Sequence, residues 1–500
     1  MSQRVSVGIT TAAYNGDPPY HPDRPYPELP FSETSATPNH PYHLLRELFQ
    51  RLDYDAEHAG TAQWNPLRAM IQPGQTVLLK PNFVLSFNTS GHSLFAVVTH
   101  PSILRAVIDY VYLALDGKGR IIIADAPQMD CNWEELMAAQ RLDLVCKFYQ
   151  QKFDFPIELY DLRNFTLINS HEPAYSRNRK PLVGDPLGSA IVNLGSNSEF
   201  YGRPSENYYG ADFNRVETIR HHQGSTHEYS VSRTVLSADV FISVPKMKVH
   251  KKVGVTLNLK GLVGINTNKN FLVHHTVGTP REGGDQLPDD IATTERFVRK
   301  AQRWFSDRAL AKQTRWGDLT YKTAATAYRT LIKPFRHDPE SITLLDAGNW
   351  HGNDSAWRMT TDLAKILFFA DKNGEICSTP QRKLLCIVDG IIAGENCGPL
   401  SPDARLCGCL VVGENPFAVD MVTARVMGFD IRKIRQFDAA LGNRWDFGVH
   451  SLRDIEVLYD KGQVAGEGFF DPSWNGPQFN FMPHPGWRGH IELPSADPVS

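Results

Sequence analysis

Short, mostly apolar runs, most of them closed by a polar or glycine position, recur along this chain and alternate with stretches of helical spacing. Residues 75–80 (QTVLLK), 120–125 (RIIIAD), 239–244 (DVFISV), 384–389 (LLCIVD) and 409–413 (CLVVG) are of this kind. A run without polar alternation is buried on both faces, as in a parallel strand covered by helices. The intervening segments supply those helices. In 100–115, Ile103, Val107, Val111 and Leu115 recur at four-residue spacing behind Pro101, a residue suited to the first helical turn. Residues 42–52, 132–142 and 417–427 also read as helices, and 5–9 as a strand. The expected fold is α/β: a Rossmann-like, mostly parallel sheet covered by helices.

Five hundred residues suffice for one large body with insertions. The body is expected over 1–284, with a long, partly β excursion near 160–235, and is completed by 381–460. Between them, 285–380 reads as a helical insertion and connecting segment, in which Phe297, Ala301 and Phe305 share one face. Residues 461–500 carry Phe469, Phe470, Trp474, Phe479, Phe481 and Trp487, an aromatic C-terminal extension expected to pack on the body.

Charge and cysteine usage narrow the function. With 52 basic and 55 acidic residues the formal net charge is −3, which argues against a general nucleic-acid binder. The longest apolar runs are strand-sized, so no membrane span is expected. The N-terminus also lacks the regions of a signal peptide. Seven cysteines without a C-x-x-C pair imply a cytoplasmic protein with reduced thiols and no ferredoxin-type cluster motif. Walker, G-x-G-x-x-G, G-x-S-x-G and H-E-x-x-H motifs are absent from the sequence.

Ligands of open parallel sheets bind beyond the carboxyl ends of the strands. Lys80 and Asn82 follow one run, Asp125 closes another, and Asp389, with Glu395 shortly beyond, closes a third. Such residues also close strands for ordinary turn-capping reasons, but together they outline one polar edge. The densest constellation is 245–261 (PKMKVHKKVGVTLNLKG). If 246–250 is extended, Lys246, Lys248 and His250 share a face. If 254–260 is helical, Thr256 and Lys260 share another, with Asn258 nearby. Gly261 and Gly264 permit close backbone approach, and His274 and His275 follow. A basic set in a slightly acidic chain makes a positive pocket for phosphate or carboxylate. Lysine grouped with other cations acidifies and becomes a nucleophile or base, with histidine as proton partner.

Weaker candidates are the polar and aromatic stretch 346–358, with Asp354 or Ser355 as helix cap, and a thiol site at Cys397, Cys407 and Cys409. Others are a divalent-cation site pairing His100 with Asp125 or Asp389, and the neighbours His221, His222, His227 and Glu228.

The stretch VPKMKVHKKVGVTLNLKGLVGI, with LLKPNFV and HPSIL before it and IVDGIIAGENCGP and ENPFAVD after it, resembles the DUF362 family, a large prokaryotic family of unknown function. Some members of that family carry fused iron–sulfur ferredoxin modules; this sequence has no such cysteine run. A more distant resemblance is to the nickel-pincer lactate racemases, in the order of His250, Lys260 and His274 or His275. That likeness implies a cofactor- or substrate-bonding amine at Lys260, a proton-transfer base at His250 and a ligand at His274 or His275. The Gly-Gly-Arg-Lys context of that family is replaced here by Thr256-Leu257-Asn258-Leu259-Lys260.

The expectation is therefore an enzyme with lyase- or racemase-like proton transfer beside a carboxylate. Lys260, His250 and His274 would be catalytic. Lys246, Lys248, Asn258, Lys80, Asn82, Asp125, Asp389 and Glu395 would hold an anionic small molecule. A divalent metal or metal-containing organic cofactor is a candidate at His274 and His275. The alternatives are a non-catalytic accessory protein that binds an anion or metallocofactor, with a protein partner or as a homo-oligomer, or an iron–sulfur-associated electron carrier.

Overall fold

The structure, a computed structural model, describes residues 2–494 apart from 170–177, 213, 311–313, 328–329, 331–343 and 443–444. An eleven-stranded sheet forms its centre. The strands are β1 (Arg4–Ile9), β2 (Thr76–Pro81), β3 (Arg120–Asp125), β4 (Ile157–Asp161), β5 (Val240–Val244), β6 (Lys246–His250), β7 (Gly254–Val255), β8 (Lys383–Glu395), β9 (Asp403–Gly413), β10 (Glu456–Tyr459) and β11 (Gly462–Ala465). Their main path is β11-β10-β1-β9-β8-β5-β2-β3-β4, parallel from β8 to β4 and mixed beyond. Four of the five apolar runs fall in the parallel half, as two-sided burial requires; the fifth, 409–413, lies in β9, which is antiparallel to both its neighbours.

Each strand sends alternate residues to two separate cores. Val77, Leu79, Ile121, Ile123, Val240 and Ile242 pack with helices α1 (His40–Arg51) and α2 (Pro101–Leu115). Leu78, Ile122, Phe241, Cys386 and Val388 face the other layer, with α3 (Ala356–Phe369) and α4 (Pro416–Val426). Thirteen of the fifteen α2 residues are buried, so Arg105 and Asp109 are sealed in as well. They survive there because they pair at 2.7 Å, with the Tyr42 and Tyr149 hydroxyls also donating to the carboxylate.

The strand Lys383–Glu395 runs well past Asp389, where the apolar run had suggested an end. It carries β5 on its first half and β6 on its second. Gly390 and Gly394 allow this, because a methyl there would meet Met247 or the Ala96 carbonyl and Lys248.

Helices Thr293–Leu310 and Arg315–Ala327 stand within the 285–380 segment. The shared face expected there divides: Ala301 and Phe305 line a cavity, whereas Phe297 is 73% exposed. Ser355, one of the two expected residues, is the N-cap of α3, but the side-chain bonds come from Asn353, whose Oδ1 accepts from the N–H groups of Ser355 and Ala356. Near the C-terminus, Phe469, Phe470, Phe481 and Trp487 enter the core, and Trp487 Nε1 donates to the Lys251 carbonyl at 2.7 Å. No helix among the described residues is long and apolar enough to cross a membrane.

Candidate functional site

Strands β2, β3 and β5 end side by side, and the segments that leave their carboxyl ends border one cavity of about 590 Å³. The chain leaves β5 through Pro245 and continues as β6, which alternates cleanly. Met247 and Val249 enter the core, while Lys246, Lys248 and His250 take the opposite face. The next turn brings Lys251 and Lys252. The short helix Leu257–Gly261 then presents Thr256 and Lys260 to the cavity on the four-residue spacing.

Six lysines (Lys80, Lys248, Lys251, Lys252, Lys260 and Lys269) and three histidines (His250, His274 and His275) line this cavity, against Asp125, Asp130 and Asp212. Two of those aspartates are already matched. Lys80 Nζ lies 2.8 Å from Asp125 Oδ1, and Asp212 pairs with Arg179 at 2.6 Å. The lining holds more basic than acidic groups. A neighbouring cavity of about 990 Å³ shares Gly210, Ala211, Asp212 and His275 with it. There Arg215 pairs with Asp307, and both Arg299 and Arg303 with Asp346, so the unmatched cations belong to the first cavity.

An ammonium has three donors and no acceptor, and counting them separates the lysines by role. Lys269 Nζ donates to the carbonyls of Ala126, Val263 and Asn266, all within 3.2 Å. It is a strut tying the end of β3 to the Gly264 turn. Lys248 donates to the Val97 and Pro399 carbonyls, and Lys252 to that of Ala347. Lys260 is 7% exposed and has no hydrogen-bond or ion-pair partner among the described residues. Burial, reinforced by Lys251 and then Lys80, brings its ammonium down to about 7. It is a sealed amine with a usable lone pair near neutrality.

The histidine tautomers are set by their neighbours. His250 Nδ1 accepts the Lys252 N–H at 3.0 Å, so a neutral ring carries its proton on Nε2 and offers a donor there. His274 Nδ1 donates to the Leu272 carbonyl at 3.1 Å, which leaves the Nε2 lone pair as acceptor or base. Burial first, and Lys260 second, push both rings well below the usual histidine range. They are neutral at pH 7. The racemase likeness implies a base at His250; its hydrogen bonding leaves an N–H on Nε2 there, while His274 keeps a free lone pair on Nε2.

Gly264 makes the floor of the cavity possible. A methyl at that position would fall on Asp125 and on Lys80 Nζ. Asp125 Oδ2 also accepts the Phe83 N–H at 2.7 Å. Asn82 lines the cavity as well, its amide fixed by a bond to the Val97 carbonyl.

Four residues expected at the site lie elsewhere. Lys246 points away under the N-terminal segment, where its Nζ donates to Asp389 Oδ2 at 2.6 Å and to the Tyr14 hydroxyl at 2.7 Å. Asp389 also accepts the His100 N–H at 3.0 Å, while the His100 ring stacks on Tyr14 at 3.9 Å. That cluster is a packed polar joint rather than a cation site. Asn258 is turned onto Asp420 of α4, which accepts from both its backbone and side-chain N–H groups. Glu395 pairs with Arg405 and accepts the Met482 N–H.

Among the weaker candidates, Asp354 is held by Arg203, Arg358 and Arg435. His221 meets Glu228, and His222 the Phe271 carbonyl. Among the described residues, no three His, Cys, Asp or Glu side chains form a group that could hold a metal ion. No such group forms around His274 and His275, nor from Cys397, Cys407 and Cys409.

Lys251, Lys252 and Lys269 were not singled out from the sequence. The first two sit in the basic run and could have been found by following the chain past His250. Lys269 lies in the polar loop NTNKN and gave no pattern to follow.

The family model described as Domain of unknown function (DUF362) matches residues 77–166 and 189–425. This chain belongs to the DUF362 family. Among curated proteins none matches it. Every lysine and histidine of the cavity falls inside the DUF362 match, whereas Trp487, which holds the Lys251 carbonyl, does not.

Proposed function

We propose that this protein is an enzyme that binds a small organic anion in the lysine-rich cavity and moves a proton at a carbon beside its carboxylate or carbonyl group. The observation that carries the reading is Lys260, an amine sealed from solvent and unpartnered among the described residues, in a cavity that also holds two neutral histidines of opposite tautomer. Buried, acidified lysines in clefts cluster at functional sites. In this reading Lys248 and Lys251 attract the anion. His250 Nε2–H hydrogen-bonds one of its oxygens, and His274 Nε2 or Lys260 takes the proton. The location proposed is the cytoplasm, supported by seven free thiols.

The test is proton exchange. A panel of hydroxy and oxo acids incubated in deuterium oxide should show protein-dependent loss of one carbon-bound proton by NMR, abolished in Lys260→Ala. Exchange that survives the substitution, or none with any member of the panel, rejects the reading.

A second reading, an anion-carrying accessory protein, is favoured by one observation. Phe297, Trp304, Trp316 and Leu319 are each more than half exposed on the helices Thr293–Leu310 and Arg315–Ala327, a surface suited to a protein partner.

A further inference from the structure

We propose that Lys260 acts as a nucleophile, joining the carbonyl carbon of a small oxo acid as an imine. This rests on the anion-binding reading above and adds the substrate class and the covalent step.

The argument is one of geometry among six amines. A nucleophilic amine needs a free lone pair and space at its tip. Lys80 is taken by Asp125 and the Pro81 carbonyl, Lys248 and Lys269 by two and three carbonyls, and Lys252 by one. Lys251 shares with Lys260 the lack of a partner in the described residues, but it is less buried. Lys260 alone combines burial with freedom. Space is present beside it: Gly261 lines the cavity, and a methyl built there would meet nothing within 4 Å. The neighbouring Lys251 and Lys80 disfavour a further positive charge, which keeps the lone pair available.

The anionic end of the ligand has its own partners. Lys251, whose ammonium has no partner among the described residues, remains to be satisfied by carboxylate oxygens, and the His250 Nε2–H can polarise an oxygen as a neutral donor.

The step balances. The Lys260 lone pair forms the C–N bond while the carbonyl π pair moves to oxygen. Proton transfer from nitrogen to that oxygen gives the neutral carbinolamine. Its hydroxyl leaves as water with one proton from a neighbouring ammonium, leaving a protonated imine. His274 Nε2 then accepts a proton from the carbon next to the imine, and the C–H pair becomes the C=C bond of a neutral enamine. Return of the proton and hydrolysis restore the amine. No oxidant or reductant is consumed.

The experiment is reductive trapping on the full chain. Protein is incubated separately with pyruvate, 2-oxoglutarate and acetoacetate in the presence of sodium borohydride, then followed by intact mass and peptide mapping. Lys260→Met and Lys260→Arg serve as controls, and the wild-type protein is labelled across a pH series. Binding of inorganic phosphate and of each oxo acid is measured by calorimetry in parallel.

The expected result is a single reduced adduct on Lys260 with at least one oxo acid, absent from whichever variant folds. Its rate should rise with pH and level off above about 7. Labelling spread over other lysines, equal in wild type and variant, overturns the proposal. So does the absence of adduct with all three acids; if anion binding persists, only the imine falls. Loss of anion binding together with adduct removes the reading beneath it as well.

Discussion

Lys246 Nζ and Asp389 Oδ2 lie 2.6 Å apart with both side chains fully buried, directly across the β6–β8 pairing. The carboxylate serves four donors: the Lys246 ammonium, the Tyr14 hydroxyl and the N–H groups of His100 and Ile391. Lys246 therefore belongs to the structure, not to the anion site.

The two partners should differ in cost. Asp389→Leu strands four donors and is expected to destabilise by about 3–5 kcal/mol. Lys246→Met leaves Tyr14 and the backbone still satisfied and should cost less. Urea unfolding of both variants checks the order. Equal or reversed costs would show that the lysine, rather than the carboxylate, organises the joint.

Gly264→Ala should break the Lys80–Asp125 pair, since the added methyl occupies its place. Overpacking of this kind costs about 1–3 kcal/mol. Phosphate affinity should change with it, because the freed Asp125 then opposes the anion. Calorimetry reads the affinity and thermal unfolding the stability. An unperturbed variant would mean that the turn shifts aside at no cost.

Asp420 sets a pH signature. Burial raises its carboxyl to about 7, partly offset by the N–H groups of Leu259 and Asn258. Between the ordinary carboxylate range and about 7 the unfolded chain has released this proton while the folded chain keeps it, so ∂ΔG/∂pH from this group is negative. Its contribution is complete at low pH and lost as pH rises through about 7. Lys260 acts in the opposite sense above 7: the folded chain has released a proton that the unfolded chain retains, and stability rises with pH. Urea midpoints across pH 4–7 for wild type and Asp420→Asn should show a shallower decline in the variant. An unchanged slope would mean that another group governs it.

His274 and His250 should fail differently. His274→Asn removes the basic Nε2, and proton exchange should fall about 10²–10⁴-fold with little change in KM. His250→Asn removes a donor to the bound anion and should act mainly through KM. The two profiles, measured with whichever acid exchanges, distinguish proton transfer from positioning. Equal loss of kcat in both would overturn the assignment by tautomer.

Much of the parallel half was legible because its strands announce themselves as unbroken apolar runs: 76–81, 120–125 and 240–244 fall within one residue of expectation. The alternation of Lys246, Lys248 and His250 was also read correctly as a shared face. What the alternation could not convey is where that face leads. Its first member meets Tyr14, 232 positions earlier in the chain, and only the next two reach the cavity. Asn258 is lost to Asp420 in the same way, 162 positions away. Local periodicity reports which side a residue takes, whereas the partner waiting on that side is a product of the whole topology.

One thirteen-residue strand, Lys383–Glu395, holds both β5 and the lysine-bearing β6 against the middle of the sheet. The amines are thereby fixed to the central sheet, while the helices Thr293–Leu310 and Arg315–Ala327 line the neighbouring cavity. Replacing those helices with a different loop is an engineering route to new ligand selectivity in which the reactive core stays put.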